Sequence, residues 1–297
     1  MGLPREKEDI SMMIARRCFV LTRKSPLIFA SALLLVLTNL PARAQETSEK
    51  TVKAHLELGY LAVASHRIQF SQDGTYFSYN KDGGQDNLFA ISRFSLDLSL
   101  SDHHSLTFLY QPLSLVTRSL LSSDLKVDGL VFPAGTPMQF TYNFPFYRVS
   151  WLYDFNVDPE NELAIGLSLQ IRNATIEFES LDGTLFRSNH NIGPVPILKF
   201  RWRQVFSSGF WLGSEADGFY APISYINGSD NEVIGAILDA SIRAGLILPK
   251  NVELFLNLRY LGGGAVGTSE PDGPGDGYVR NWLHFFTVTV GFSLGLF

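Results

Sequence analysis

The chain has 297 residues, is 13% aromatic and carries a formal net charge of −5 at pH 7. A mildly acidic chain without a basic stripe is not expected to bind nucleic acid. Its single cysteine, Cys18, precedes the mature protein defined below, so the mature part offers no disulfide, thiolate metal site or cysteine nucleophile.

Residues 1–44 have the features of a cleaved signal peptide. A positively charged stretch that ends at Lys24 precedes an apolar run from Leu27 to Leu37, and Ala42 and Ala44 form an A-x-A cleavage site. The apolar run of about 12 residues is shorter than the roughly 20 that a transmembrane helix needs. We therefore predict cleavage after Ala44 and a mature protein, residues 45–297, that folds as one domain.

The mature sequence alternates between apolar and polar residues in ten stretches, the pattern of β-strands whose two faces lie in different environments. Short turns join the strands within five pairs, and longer segments, such as residues 117–138, join one pair to the next. An even number of strands with alternating short and long connections predicts an antiparallel β-barrel. The predicted strands are 52–65, 88–101, 106–110, 147–155, 163–172, 198–203, a strand that includes Glu215 and Asp217, 234–248, 253–260 and 282–297.

The last of these stretches carries a barrel-closure signal. Its even positions are mostly apolar, whereas its odd positions include threonine, serine and glycine. The pattern polar-x-Gly-x-x-apolar-x-apolar, followed by an aromatic end, is formed by Thr289, Gly291, Leu294, Leu296 and Phe297, the last of them one residue beyond the usual position. In this the chain resembles bacterial outer-membrane β-barrels. The resemblance implies short periplasmic turns, long extracellular loops and insertion by the barrel-assembly machinery.

Alternation alone leaves open which face points outward. A periplasmic lipocalin-like carrier would enclose its apolar face around a ligand, whereas a membrane barrel turns that face toward lipid. The aromatic end and the uniformly apolar faces favour lipid. Outer-membrane lipid is then the first expected partner, with small solutes or surface ligands as further candidates.

The polar faces carry charges that the predicted registers bring together. A hairpin turn about Ser208 places Arg201 opposite Glu215 and Lys199 opposite Asp217. Opposite charges on paired strands stabilise a sheet by about 0.2–1 kcal/mol each. Ten strands around such bulky side chains predict a mostly occluded lumen rather than a wide channel. The predicted charge network of the lumen comprises Arg148, Arg172, Lys199, Arg201, Arg203, Glu215, Asp217, Asp239, Arg243 and Arg259.

An outer-membrane hydrolase acting on lipid or peptide is the alternative function. Omptin proteases also have ten strands and use Asp and His residues at the extracellular rim. The residues predicted at that rim, which do not form the paired motifs of omptins, are His66, Asp182, His190, Asp217 and Asp230.

The segment His103-His104-Ser105 has the His-x-Ser spacing of the eight-stranded lipid A deacylases, and Ser188-Asn189-His190 is a weaker candidate. His103-His104-Ser105 falls at a predicted periplasmic turn, and Ser188-Asn189-His190 falls in a predicted loop. No metal-ligand spacing stands out, and no cofactor is expected. The sequence therefore predicts an all-β, ten-stranded antiparallel transmembrane barrel in the outer membrane of a Gram-negative bacterium. We expect its role to be structural, that of a narrow pore, or surface recognition through its loops, rather than catalysis.

Overall fold

A computed structural model describes residues 51–156, 158, 160–222, 232–271 and 273–296. The predicted signal peptide and Phe297 lie outside the described residues. Every regular element of the described residues is a strand. These residues contain no helix that is long and apolar enough to cross a membrane. The strands are β1 (Val52–Phe70), β2 (Phe77–Ser78), β3 (Leu88–Ser101), β4 (His104–Gln111), β5 (Ser114–Leu120), β6 (Leu125–Val127), β7 (Leu130–Phe132), β8 (Pro137–Asn143), β9 (Phe146–Asp154), β10 (Glu162–Ser180), β11 (Phe186–Val205), β12 (Phe210–Pro222), β13 (Glu232–Leu248), β14 (Val252–Thr268) and β15 (Tyr278–Gly295).

Ten of these strands form a closed antiparallel barrel, which confirms the predicted architecture. Around the ring the order is β1, β3, β4, β9, β10, β11, β12, β13, β14 and β15, and β15 pairs with β1. That closing ladder runs from Lys53 opposite Gly295 to Phe70 opposite Val279. Every strand of the ring therefore has a partner on both sides over at least part of its length, which closes the sheet on itself.

The alternation of the strands sorts the side chains between the two surfaces of the wall. Leu58 and Leu198, on the outside, are 56% and 68% exposed, whereas their neighbours Glu57 and Lys199, on the inside, are 2% and 4% exposed. The wall is thus apolar outside and polar inside, the reverse of a soluble globular protein.

The two ends of the barrel differ in their connections. At one end, here called the turn end, β3–β4, β9–β10, β11–β12 and β13–β14 are joined by short turns. In the turn before β14, Lys250 and Asn251 adopt φ values of 66° and 56°, a conformation that tight hairpin turns require. At the opposite end, the loop end, the connections are longer, and several strands of the ring extend farther than the sequence predicts.

These extensions correct the predicted strand limits. β10 runs to Ser180 and pairs with β11 as far as Glu179 opposite Phe186, and the predicted loop 117–138 contains β6, β7 and parts of β5 and β8. β1 continues to Phe70 through a bulge at Ala64, since Val63 lies opposite Phe285 and Ser65 opposite His284. A bulge reverses which positions face inward, so the alternation beyond Ala64 no longer matches the pattern before it.

Candidate functional site

A layer of buried ion pairs fills the middle of the lumen. Arg148 Nη1 lies 2.7 Å from Asp217 Oδ2 and 3.2 Å from Asp239 Oδ2. Lys199 Nζ lies 3.0 Å from Asp217 Oδ2 and also contacts Glu215. The predicted register is the observed one, because Lys199 is the cross-strand partner of Asp217.

Neutral amides complete this layer. Gln170 Oε1 accepts hydrogen bonds from Arg148 Nε and Nη2 at 3.0 and 2.7 Å. Gln111 accepts a hydrogen bond from Arg259, which also pairs with Asp239. The Arg148 side chain is only 1% exposed. Because an unpaired buried charge strongly destabilises a protein, each charge of the layer depends on these partners.

Glu57 connects the middle layer to the strands that close the barrel. Its Oε1 lies 3.3 Å from Arg93 and 3.6 Å from Arg243, and its Oε2 accepts a hydrogen bond from Thr289 at 2.8 Å. Arg243 in turn lies 2.6 Å from Glu215. The charges of the middle layer, together with Glu57 and Arg93, therefore form one linked network rather than isolated pairs.

Toward the turn end the lumen opens to water. Arg201 lies 3.1 Å from Asp97, and Glu253 lies 2.9 Å from both Lys53 and Arg203. The side chains of Asp97 and Lys53 are 26% and 35% exposed, against 1% for the carboxylate at the centre of the middle layer. Between the two regions lies a cavity of about 10 Å³, room for roughly one water molecule.

The predicted charge network and the observed one overlap only in part. All of its predicted members except Arg172 take part in ion pairs. Arg172 lies nearer the loop end, where it donates a hydrogen bond to Asn191. Sequence reasoning missed charged residues that occupy polar positions of alternating strands, namely Lys53, Glu57, Arg93, Asp97, Glu162 and Glu253. Their partners are distant in sequence, so no single hairpin register reveals them.

Three of the barrel-closure residues, Thr289, Gly291 and Leu294, lie on β15 at the seam with β1, and Leu296 directly follows that strand. Gly291 is opposite Glu57 on β1 and Phe255 on β14, and a Cβ at Gly291 would meet the Phe255 ring at 2.0 Å. Leu294 is paired with Ala54, and the backbone N–H of Leu296 donates to Val52 at 2.8 Å. These positions hold the seam together, whereas Phe297 lies outside the described residues.

The segment Ser71–Asn87, here called the plug, folds into the loop end of the barrel. Phe77 and Tyr79 of the plug are 4% and 0% exposed. The Phe77 ring stacks on Phe140 with 5.0 Å between ring centroids, and Tyr79 stacks on His66 at 4.4 Å. Gln85 lies 2.8 Å from His66 Nδ1. An apolar core thus closes the loop end above the charged layer.

Two residues predicted at the rim are buried instead. His66 is fully enclosed in the apolar core, because the bulge at Ala64 turns it inward. Asp217 belongs to the middle layer. Asp182 does lie in the turn after β10, where hydrogen bonds from Ser180 and Thr184 hold the pKa of its carboxyl below the usual range. Asp230 lies outside the described residues.

The remaining candidates are not gathered into one group of side chains. In the part of the chain that the structure describes, no group of His, Cys, Asp and Glu side chains is arranged to hold a metal ion. His103 lies in a turn at the turn end, with its ring stacked 5.4 Å from Tyr153. Ser188 and His190 lie on β11 rather than in a loop.

Comparisons with known proteins give distant structural matches only. No protein-family model and no curated protein matches the chain. Among solved structures it is similar to the outer-membrane protease OmpT of Escherichia coli, at 12% identity over 86% of this chain and 99% of that chain, with a TM-score of 0.46. It is also similar to the transport unit of the autotransporter AIDA-I from Escherichia coli (11% identity, 88% and 96%, TM-score 0.41). A third is Ail of Yersinia pestis (9% identity, 82% and 99%, TM-score 0.32). At these identities and TM-scores, none of these proteins' activities is carried over to this chain.

Proposed function

We propose that this protein is an integral outer-membrane β-barrel with a closed lumen, which acts through its extracellular surface rather than as an open pore. The turn end would then face the periplasm and the loop end the outside. Outer-membrane lipid and the barrel-assembly machinery are its proposed partners, and residues 1–44 would direct its export.

The outer surface supports a membrane position. Exposed aromatic residues border the apolar wall on both sides. Tyr60 and Tyr147 lie toward the loop end, and Phe155 and Phe210 lie toward the turn end. Tyr147 and Phe155 are eight residues apart, about 26 Å along a strand, which corresponds to a height of about 20 Å for a strand tilted by about 35–45°. The two rings therefore lie within a few Å of the borders of a hydrocarbon-facing band about 25 Å tall. A lipocalin-like carrier would instead need an apolar interior around its ligand at the level where this lumen is charged.

The filled lumen carries the proposal that the protein is not an open channel. A solute entering from the turn end meets Arg148, Asp217 and Asp239 in direct contact, and beyond them the apolar core closed by the plug. The charged barrier consists of packed side chains on strands of the ring, and the apolar barrier of side chains from the strands and from the plug. What remains accessible from outside is the surface of the loop end.

Two measurements test the proposal. After cell fractionation, the protein should sediment with the outer membrane and stay there after a carbonate wash, whereas a soluble carrier would appear in the periplasm. In planar bilayers the purified protein should give no channel openings above the lipid baseline. Stable openings of porin size would overturn the closed-lumen proposal, and recovery in the soluble periplasm would overturn the membrane assignment.

A further inference from the structure

A serine and a histidine lie in hydrogen-bond contact on the wall near the loop end. Ser188 Oγ is 2.8 Å from His190 Nε2, and His190 Nδ1 is 3.1 Å from Thr175 Oγ1. Thr175 is the cross-strand partner of His190, and Ser188 lies two residues from His190 on the same face of β11. A nucleophile next to a base that a third group orients is the arrangement of nucleophilic hydrolases.

The group points outward and is open to solvent. On β10 the alternate residues Ala174, Ile176 and Phe178 are buried inside the barrel, so Thr175 and its cross-strand partner His190 are on the outer face. They lie four residues beyond Ile171 of the apolar wall, about 13 Å along the strand. A water-soluble substrate can therefore reach them.

The backbone beside this group offers hydrogen-bond donors. The backbone N–H of Ser180 donates to the carbonyl oxygen of Leu185, which directly precedes β11. In an antiparallel ladder every second residue of a strand bonds to the same neighbouring strand, so the odd-numbered residues of β11 are those that bond to β10. The N–H groups of Ser188 and His190 then point to the other edge of β11. Pro194 and Pro196 are also even-numbered residues of β11, and because proline has no backbone N–H they offer no donor at this edge.

That edge is open in the described part of the chain. The ladder between β11 and β12 ends where Leu198 is opposite Gly218, and no described strand pairs with β11 beyond it. The loss of two donors at Pro194 and Pro196 explains why the ladder stops. Ser188 thus combines a hydrogen-bonded base with backbone N–H groups that have no partner among the described residues, the type of donor that stabilises an oxyanion.

We propose that Ser188 and His190 form an esterase site for small, water-soluble carboxylic esters on the extracellular wall. His190 Nε2 takes the hydroxyl proton as Ser188 Oγ attacks the ester carbonyl, and the alcohol leaves with that proton when the C–O bond breaks. Water, deprotonated by His190, then attacks the acyl-serine, and Ser188 recovers its proton. The products are one alcohol and one carboxylic acid. Thr175 is a positioning residue that orients the imidazole.

The test uses the purified full-length barrel in detergent, with a fluorophosphonate probe and p-nitrophenyl acetate. We expect covalent labelling at Ser188 by peptide mapping and ester hydrolysis, both reduced about a hundredfold or more by Ser188→Ala and by His190→Gln. Ser123→Ala, at an exposed serine without a histidine neighbour, is the matched control and should label and hydrolyse as the wild type does. No labelling of the wild type above heat-denatured protein, or labelling at another serine, would overturn the proposal.

Variants of Thr175 separate positioning from structural support. Thr175→Val should slow labelling about tenfold while the thermal unfolding midpoint is unchanged, and Thr175→Ser, which keeps the hydroxyl, should restore the rate. Equal rates for both variants would remove Thr175 from the site. Because the assay uses folded protein in detergent, its failure would leave the membrane assignment and the closed lumen untouched.

Discussion

At the scale of single residues, the buried carboxylate of Asp217 is the contact on which the middle layer depends most. It pairs with both Arg148 and Lys199 and is 1% exposed. Asp217→Asn would remove one negative charge, and Arg148 and Lys199 would then be incompletely neutralised. We expect the free energy of unfolding to fall by about 3–5 kcal/mol, the usual effect of removing one partner from a buried pair. Urea titration of the purified barrel measures it.

Two further variants show whether charge balance is the cause. Asp86→Asn, at an exposed position of the plug, should change stability by no more than about 0.5 kcal/mol. The double variant Asp217→Asn with Lys199→Met restores the balance, because Arg148 keeps Asp239 as its partner. It should recover part of the lost stability. An Asp217→Asn protein as stable as the wild type would contradict this view of the lumen.

At the scale of strands, glycine positions show where neighbouring backbones approach most closely. A Cβ at Gly59 on β1 would lie 2.0 Å from the carbonyl oxygen of Val288 on β15, and that backbone cannot move without disturbing the closing ladder. A Cβ at Gly193 on β11 would meet nothing within 4 Å. Gly59→Ala should therefore lower the free energy of unfolding by about 1–3 kcal/mol.

Gly193→Ala is the matched control on another strand of the same barrel. It should be neutral, or stabilise by up to about 1 kcal/mol through the entropy of the unfolded chain. Urea titration of the two variants side by side measures the difference. Equal stabilities would mean that the seam between β1 and β15 is looser than the structure has it.

Strands were predictable from the sequence where the alternation is unbroken, and less so elsewhere. The limits of β3 and the pairing of Arg201 with Glu215 followed from period-two patterns and a tight turn. His66 did not follow, because the bulge at Ala64 leaves no mark in composition and reverses the inward parity. The plug did not follow either, since Tyr79 lies among turn-forming residues and its burial depends on contacts from distant strands.

At the scale of the whole molecule, the lumen contains two barriers in series. The apolar core near the loop end includes the plug, and the charged layer lies below it. The only plug strand that pairs with the ring is β2, opposite Arg67 and Ile68 of β1, and the plug's other backbone bonds to the ring include those from Tyr79 N–H to His66 O and from Ser71 N–H to Tyr278 O. The plug can therefore be shortened without removing any strand of the barrel.

Removing one barrier at a time shows which of them closes the lumen. The variant replaces the plug with a ten-residue Gly/Ser linker from Phe70 on β1 to Leu88 on β3. Because Leu88 pairs with Ala62 and Phe70 lies eight residues beyond Ala62, the linker must span roughly 26 Å, which ten residues can do. The shortened protein should fold, expose apolar surface that binds a fluorescent dye, and still give no channel openings, since Arg148 and Asp217 remain in contact. Openings should appear only when the linker is combined with Arg148→Ala and Asp217→Ala, measured in planar bilayers. Conductance from the linker variant alone would mean that the charged layer is permeable and that the plug is the sole barrier.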